Sequence, residues 1–267
     1  MGGRFRVGGL TVEVSGKAGA LKALERAWAP FAVEAKAAVD AEVELELDGK
    51  RRPAPSPCPM PDVRLDANGS LQIEGVSFHA EIDQARRSVR VRGADERFGV
   101  EMAIKHLLAA RLASAGGGLL VHGVALANGS RAALFIGQSG AGKSTLGKLG
   151  QQAGLRMLSD ELVAVWAVET GRAYRAEGTP WNEGVPEGAP LAGVGTLHWE
   201  DAARIERQPA SNLLRDLMGN VLLADPSPEG RSAAMKAQAA FVSAVATWKL
   251  HFAADQPVGP AIQWALK

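Results

Sequence analysis

The sequence predicts an α/β protein built on a mixed sheet, with a β-rich lobe over residues 1–97 and a second domain over residues 98–267. Three observations carry this expectation. Ala132-Ala133-Leu134-Phe135-Ile136 is a short apolar run of the kind a buried strand shows. It leads through a glycine-rich turn into Ser144-Thr145-Leu146-Gly147-Lys148-Leu149, whose leucines stand three apart as on a helix. Upstream, residues 41–47 alternate strictly, with Val43, Leu45 and Leu47 on one face and Glu42, Glu44 and Glu46 on the other, the pattern of a half-buried strand.

In chain order, residues 4–14 read as extended, and residues 18–31 as a helix with Leu21, Leu24, Ala27 and Trp28 on one face, ended near Pro30. Residues 50–61 carry a proline at every second position from 53 to 61, which forbids helix and interior strand and reads as an extended connection. Asn68-Gly69 then predicts a hairpin joining Val63/Leu65 to Leu71/Ile73. A second hairpin sets Phe78, Ala80 and Ile82 opposite Val89 and Val91, with Arg90 and Arg92 on a solvated edge. Val100, Ile104, Leu107, Leu108 and Leu112 mark an amphipathic helix that stops at Gly116-Gly117-Gly118.

Residues 119–126 read as a strand carrying one histidine, His122, and Asn128-Gly129 turns the chain into the apolar run at 132–136. After the next helix, Gly154 and a short apolar stretch lead to Asp160-Glu161. Residues 162–168 form another strand, residues 178–190 a Gly/Pro-rich loop long enough to act as a lid, and residues 194–199 a strand. Helices over about 211–223 and 231–247 precede a strand at 248–252.

The turn at Gly137-Gln138-Ser139-Gly140-Ala141-Gly142-Lys143-Ser144 fits the phosphate-binding loop known as Walker A, and the strand before it and helix after it are the context that motif requires. Its glycines let successive backbone N–H groups face one anion, and the helix N-terminus adds a favourable dipole. Lys143 would reach the outer phosphates, Ser144 would offer its hydroxyl to Mg²⁺, and Thr145 opens the helix behind them. Asp160 and Glu161 are the expected acids. Their strand is expected beside the loop strand with its carboxyl end over the phosphates, and both can serve only if that strand ends at Asp160. His122 is a third candidate, with a core histidine as the bland alternative.

The remaining numbers bound the function. A chain of 267 residues, 46% hydrophobic and 22% charged, has ordinary globular composition. A net charge of +1 gives no broad grip on nucleic acid or on an anionic membrane. The single cysteine, Cys58, excludes an internal disulfide and a cysteine zinc cluster. With no signal-like apolar core at the N-terminus and no apolar run of about 20 residues, the expectation is a soluble cytoplasmic protein.

His122-Gly123-Val124, the loop 137–144 and Ser159-Asp160-Glu161 resemble, in order and approximate spacing, the catalytic domain of bacterial HPr kinase/phosphorylase, a relative of ATP-dependent phosphoenolpyruvate carboxykinase. Gly178-Thr179-Pro180-Trp181 looks closer still to the small HPr-kinase-like proteins of modified-peptide gene clusters. The resemblance spans residues 118–200 well, the remaining C-terminal part weakly and the first hundred hardly at all. It implies a P-loop kinase domain of the HPr kinase/PEP carboxykinase type, moving the ATP γ-phosphate to a serine-type hydroxyl of a peptide, protein or small molecule. It implies Asp160 as the base for that hydroxyl and His122 close to the phosphates. The HPr enzymes assemble, so the resemblance admits a homo-oligomer without requiring one, and the residues themselves leave the oligomeric state open. Three departures weigh against HPr as substrate and against phosphorylase activity: Thr145 where an acid is usual, Asp160-Glu161 in place of paired aspartates, and no glutamate-isoleucine-arginine-glycine signature.

The expected chemistry is therefore that of an ATP- and Mg²⁺-dependent kinase. Lys143 and the loop amides hold the phosphates, Ser144 with Asp160 or Glu161 holds the metal, and Arg172 or Arg175 is a candidate for the transferring phosphoryl. The rivals are an NTPase or nucleotide-gated switch in which Glu161 activates water, and a nucleotide-holding scaffold without catalysis.

Overall fold

The computed structural model describes residues 2–47, 60–83, 85–93 and 97–267. Nearly all of the proline-rich connection expected at 50–61, with Cys58, lies outside the described residues. The chain divides into two compact units, Met1–Arg111 with Leu223–Arg231, and Leu112–Leu222 with Ser232–Lys267. Both are α/β with sheets of mixed strand direction. Among the described residues no helix is long and apolar enough to cross a membrane.

In the first unit the chain runs β1 (Gly2–Val7), β2 (Leu10–Gly16), α1 (Ala18–Ala27), β3 (Ala41–Leu47), β4 (Asp62–Leu65), β5 (Leu71–Glu74), β6 (Phe78–Asp83) and β7 (Ser88–Gly93), and enters α2 (Arg97–Ser114). The extended stretch expected at 4–14 is a hairpin, not one strand. Gly8 and Gly9 both take positive φ and turn it, pairing Val7 with Leu10. The strand order is β1-β2-β3-β7-β6-β5-β4, and β3 runs parallel to both its neighbours. Both hairpins expected from the sequence form, with Val63 opposite Ile73 and Ala80 opposite Val91. At the first, the Asp66 carboxylate accepts from the amides of Asn68 and Ser70, closing the turn through Gly69.

The alternation of β3 is realised in full: Val43, Leu45 and Leu47 are buried and the three glutamates exposed. The helix α1 makes the crossover from β2 to the parallel β3, and beyond its end Trp28 meets Phe5 of β1 edge-on at 5.6 Å. Arg90 and Arg92 do not mark an edge. Their strand β7 lies between β3 and β6, and the arginines stand in register with Glu44 and Glu46. Arg92 pairs with Glu46 at 2.7 Å and Arg90 with Glu44 at 3.3 Å, an exposed charge ladder across a central strand pair.

The second unit continues with β8 (Leu119–Ala127), β9 (Ala132–Ile136), α3 (Lys143–Gln152), β10 (Arg156–Ser159), β11 (Leu162–Val168), β12 (Ala173–Glu177), β13 (Gly188–Trp199), β14 (Arg204–Arg207), α4 (Ala210–Met218), α5 (Pro228–Ala244), β15 (Ala246–Phe252) and α6 (Gly259–Ala265). Two strands change partners along their length. β8 pairs with β11 through Leu119–His122 and with β9 from Gly123 onward, while β13 passes from β12 to β9 and β15. Pairing therefore runs in a ring, β8 to β11 to β12 to β13 to β9 and back to β8, with β10 and the β15–β14 pair attached outside it.

β9 is apolar at every position because both its faces are covered. Ala132, Leu134 and Ile136 join a core with Leu213, Leu217, Phe241 and Val242 of α4 and α5. Ala133 and Phe135 join another with Leu146 of α3 and Ile262 of α6. Glycine inside α3 is unfavourable for a helix, but a Cβ at Gly147 would lie 2.5 Å from the Met157 sulfur, so its absence lets the helix sit close on the strands. In the second unit the sequence expectation differs from the fold in three strands. β12 and β14 were not expected, and β13 begins at Gly188, inside the anticipated 178–190 loop.

Candidate functional site

The glycine-rich loop 137–144 leaves β9 at Ile136 and enters α3 at Lys143. Gly140 and Gly142 both have positive φ, +83° and +97°, and Gly142 is the N-cap residue of α3. A Cβ at Gly142 would stand 2.7 Å from the Phe252 ring and 2.8 Å from that of Trp199, so glycine is required there twice over, for conformation and for space. The Lys143 side chain folds back over the loop, its Nζ donating to the carbonyls of Gly137 at 2.7 Å and Gln138 at 3.1 Å. Burial lowers the pKa of this amine, and the charge of Asp160 opposes that shift.

Asp160 follows β10, which ends at Ser159, so Asp160 and Glu161 are free of the strict alternation of a strand. The neighbour relation differs from expectation: β10 pairs with β8, and β8 stands between it and the loop strand β9. Because β8 is antiparallel to β9, β10 and β11, the short Asp160–Glu161 link sits where β8 changes partners. There Gly123 donates its amide to the Glu161 carbonyl at 3.0 Å, one residue from His122. His122 in turn donates its amide to the Asn220 carbonyl at 2.6 Å.

The Asp160 carboxylate is buried and held by two donors. Oδ2 accepts from the Asn182 side-chain amide at 2.7 Å and Oδ1 from the Glu183 backbone amide at 3.1 Å, while the Asp160 amide donates to the Glu183 carbonyl at 3.2 Å. The segment expected to act as a lid is thus an anchored wall. Thr179 and Trp181 are buried, and the Thr179 hydroxyl donates to the Leu162 carbonyl and lies 3.2 Å from that of Ser159.

These elements enclose a cavity of about 400 Å³, in the range of small-molecule sites. Ser139, Gly140, Gly142, Lys143, Ser144 and Thr145 line it together with His122, Asp160 and Glu161. Gly137, Gln138 and Ala141 line instead a neighbouring cavity of about 470 Å³, with His198 on β13, Arg215 and Asp216 on α4, and Asn220. Arg172 and Arg175 line neither; Arg175 is held by Glu177 at 2.5 Å and by the Gly188 carbonyl at 2.7 Å. Two residues of the first cavity carry no sequence signal of their own. Asn182 arrives through the anchored segment, and Trp199 through the register of β13 with β15.

The donor set suits a hard cation. Among the described residues no cluster of three or more His, Cys, Asp or Glu side chains forms a protein-only metal cage. A hydroxyl from Ser144 and a carboxylate from Asp160 or Glu161 are what Mg²⁺ takes from a protein when phosphate oxygens and water fill the remaining positions. No protein-family model matches this chain, and no curated protein matches it in sequence.

Proposed function

We propose that the protein is a P-loop kinase of the HPr-kinase-like type, which binds Mg²⁺–ATP on the loop 137–144 and transfers the γ-phosphate to a hydroxyl. The observation that carries this reading is the single cavity shared by Lys143, Ser144 and Asp160, with Asp160 fixed by Asn182. The loop amides and Lys143 stabilise charge on the phosphates, Ser144 and Glu161 would hold Mg²⁺, and Asp160 accepts the acceptor's proton as the hydroxyl attacks the γ-phosphorus and ADP leaves. His122 lines the same cavity as Asp160 and Glu161, which supports a role for it near the bound phosphates. A carboxylate buried among fixed donors is pre-oriented for one proton transfer, which suits a base better than a mobile surface acid.

A second reading has an observation of its own: Glu161 lines the same cavity and could orient water in place of an acceptor hydroxyl, making the protein an NTPase or a nucleotide-gated switch. Acceptor-independent ATP hydrolysis that is lost in Glu161→Gln would favour it. The kinase reading is tested by incubating γ-labelled ATP with a native lysate and either the wild type or Lys143→Ala, then identifying labelled species by mass spectrometry. A labelled hydroxyl product made by the wild type and lost with Lys143→Ala supports it, and label released only as inorganic phosphate contradicts it.

A further inference from the structure

We infer that the indole of Trp199 is the platform on which the base of a bound nucleoside triphosphate stacks, an assignment that rests on the phosphate-loop reading above. Trp199 ends β13 and is 50% exposed. Of the exposed large apolar side chains among the described residues, it alone lines the cavity containing Lys143 and Ser144. The rest of that lining is polar, charged or glycine, and its one other aromatic ring is that of His122, on the strand β8 in register with Leu162 of β11.

The ring is fixed before any ligand arrives. β13 and β15 run parallel with Trp199 in register with Phe252, and the Glu200 amide donates to the Phe252 carbonyl at 3.0 Å. That register stacks the two rings at 4.6 Å between centroids and 27° between planes, with Phe252 buried beneath. Gly142, the N-cap residue of the phosphate-loop helix, closes the contact from the side. A rigid half-exposed indole beside a phosphate-binding turn offers a flat apolar face that every nucleobase can cover, with little ordering cost.

Topology gives the ligand a direction. The loop strand β9 lies between β8, whose other edge carries Asp160, and β13, which carries Trp199. A nucleotide laid across the loop has its transferring phosphate at the Asp160 side and its base at the Trp199 side.

The test is calorimetric binding of Mg²⁺–ATP and of Mg²⁺–tripolyphosphate, which lacks a base, to the wild type, Trp199→Leu and Trp199→Phe. Leucine keeps apolar packing on Phe252 and Gly142 but removes the aromatic face. The expected result is a loss of about tenfold in ATP affinity in Trp199→Leu, unchanged tripolyphosphate affinity, and near-wild-type ATP binding in Trp199→Phe. Equal losses for both ligands would show that Trp199 only supports the loop, and unchanged ATP affinity would show that the base lies elsewhere; either overturns the inference. A wild type that binds tripolyphosphate as tightly as ATP refutes the platform and leaves the phosphate-loop reading standing, whereas one that binds neither refutes both.

Discussion

The side-chain amide of Asn182 donates to Asp160 Oδ2 at 2.7 Å, from a residue 22 positions along the chain. The adjacent Glu183 amide occupies Oδ1, so the carboxylate that lines the cavity is held by two fixed donors. Removing the Asn182 amide leaves Asp160 with one anchor and a rotatable plane. On the proposed kinase reading, Asn182→Ala is expected to lower phosphate transfer roughly 10- to 100-fold while ATP affinity changes little, because misorienting a reacting group is costly and that reading assigns the phosphates to the loop 137–144. Parallel titration and transfer assays check this; a matching loss of ATP affinity would mean that Asn182 supports the loop instead.

Gly142 is the position at which the loop tolerates least. Alanine there must take φ near +97° and place a Cβ within 2.8 Å of two aromatic rings. A strained backbone of this kind costs about 1–3 kcal/mol, and the ring contacts add to it. Thermal melting of Gly142→Ala is expected to show that loss together with weakened ATP binding, whereas Gly154→Ala, which has φ +81° but nothing within 4 Å of its Cβ, is expected to lose stability without the binding defect.

Lys143 gives a pH signature. Its amine titrates below an ordinary lysine because it is buried, and polyphosphate placed beside it raises the pKa again. Between the two values the free protein is deprotonated and the complex protonated, so binding takes up protons and affinity falls as pH rises through that window. Calorimetry in buffers of different ionisation enthalpy measures the uptake. Lys143→Met is expected to abolish it, and an uptake that persisted in that variant would assign it to another group.

His106, buried in α2 with Nδ1 2.8 Å from the Met102 carbonyl, has its pKa lowered by burial. The unfolded chain therefore binds a proton near pH 6.5 that the folded chain refuses. Stability contributed above that pH is lost as pH falls through 6.5 toward the lower folded value. His106→Leu is expected to flatten the dependence of melting temperature on pH between 7 and 5, while wild type and variant with parallel slopes would contradict it.

What the sequence revealed follows from how local each feature is. The loop 137–144, the alternation of residues 41–47 and the Asn68-Gly69 turn are written in neighbouring residues, and each appears in the fold. Pairing between distant strands is not written locally. Nothing around residues 156–161 says that β8 rather than β9 is the neighbour of β10, and the charges of Arg90 and Arg92 resemble an edge until β3 supplies the glutamates. The candidate site divides in the same way. Lys143, Ser144 and the Asp160-Glu161 pair were legible from motif and spacing, whereas Asn182 and Trp199 enter only because a buried Thr179–Trp181 anchor and the β13–β15 register carry them there.

The most direct measurement of the central claim is phosphate transfer from γ-labelled ATP by wild type and Asp160→Asn, with ATP binding measured on the same preparations. The account predicts a labelled hydroxyl product from the wild type and a loss of transfer by roughly 100-fold or more in Asp160→Asn, with binding kept within a few-fold. Transfer and binding both unchanged in Asp160→Asn, or a wild type that binds no ATP, would contradict it.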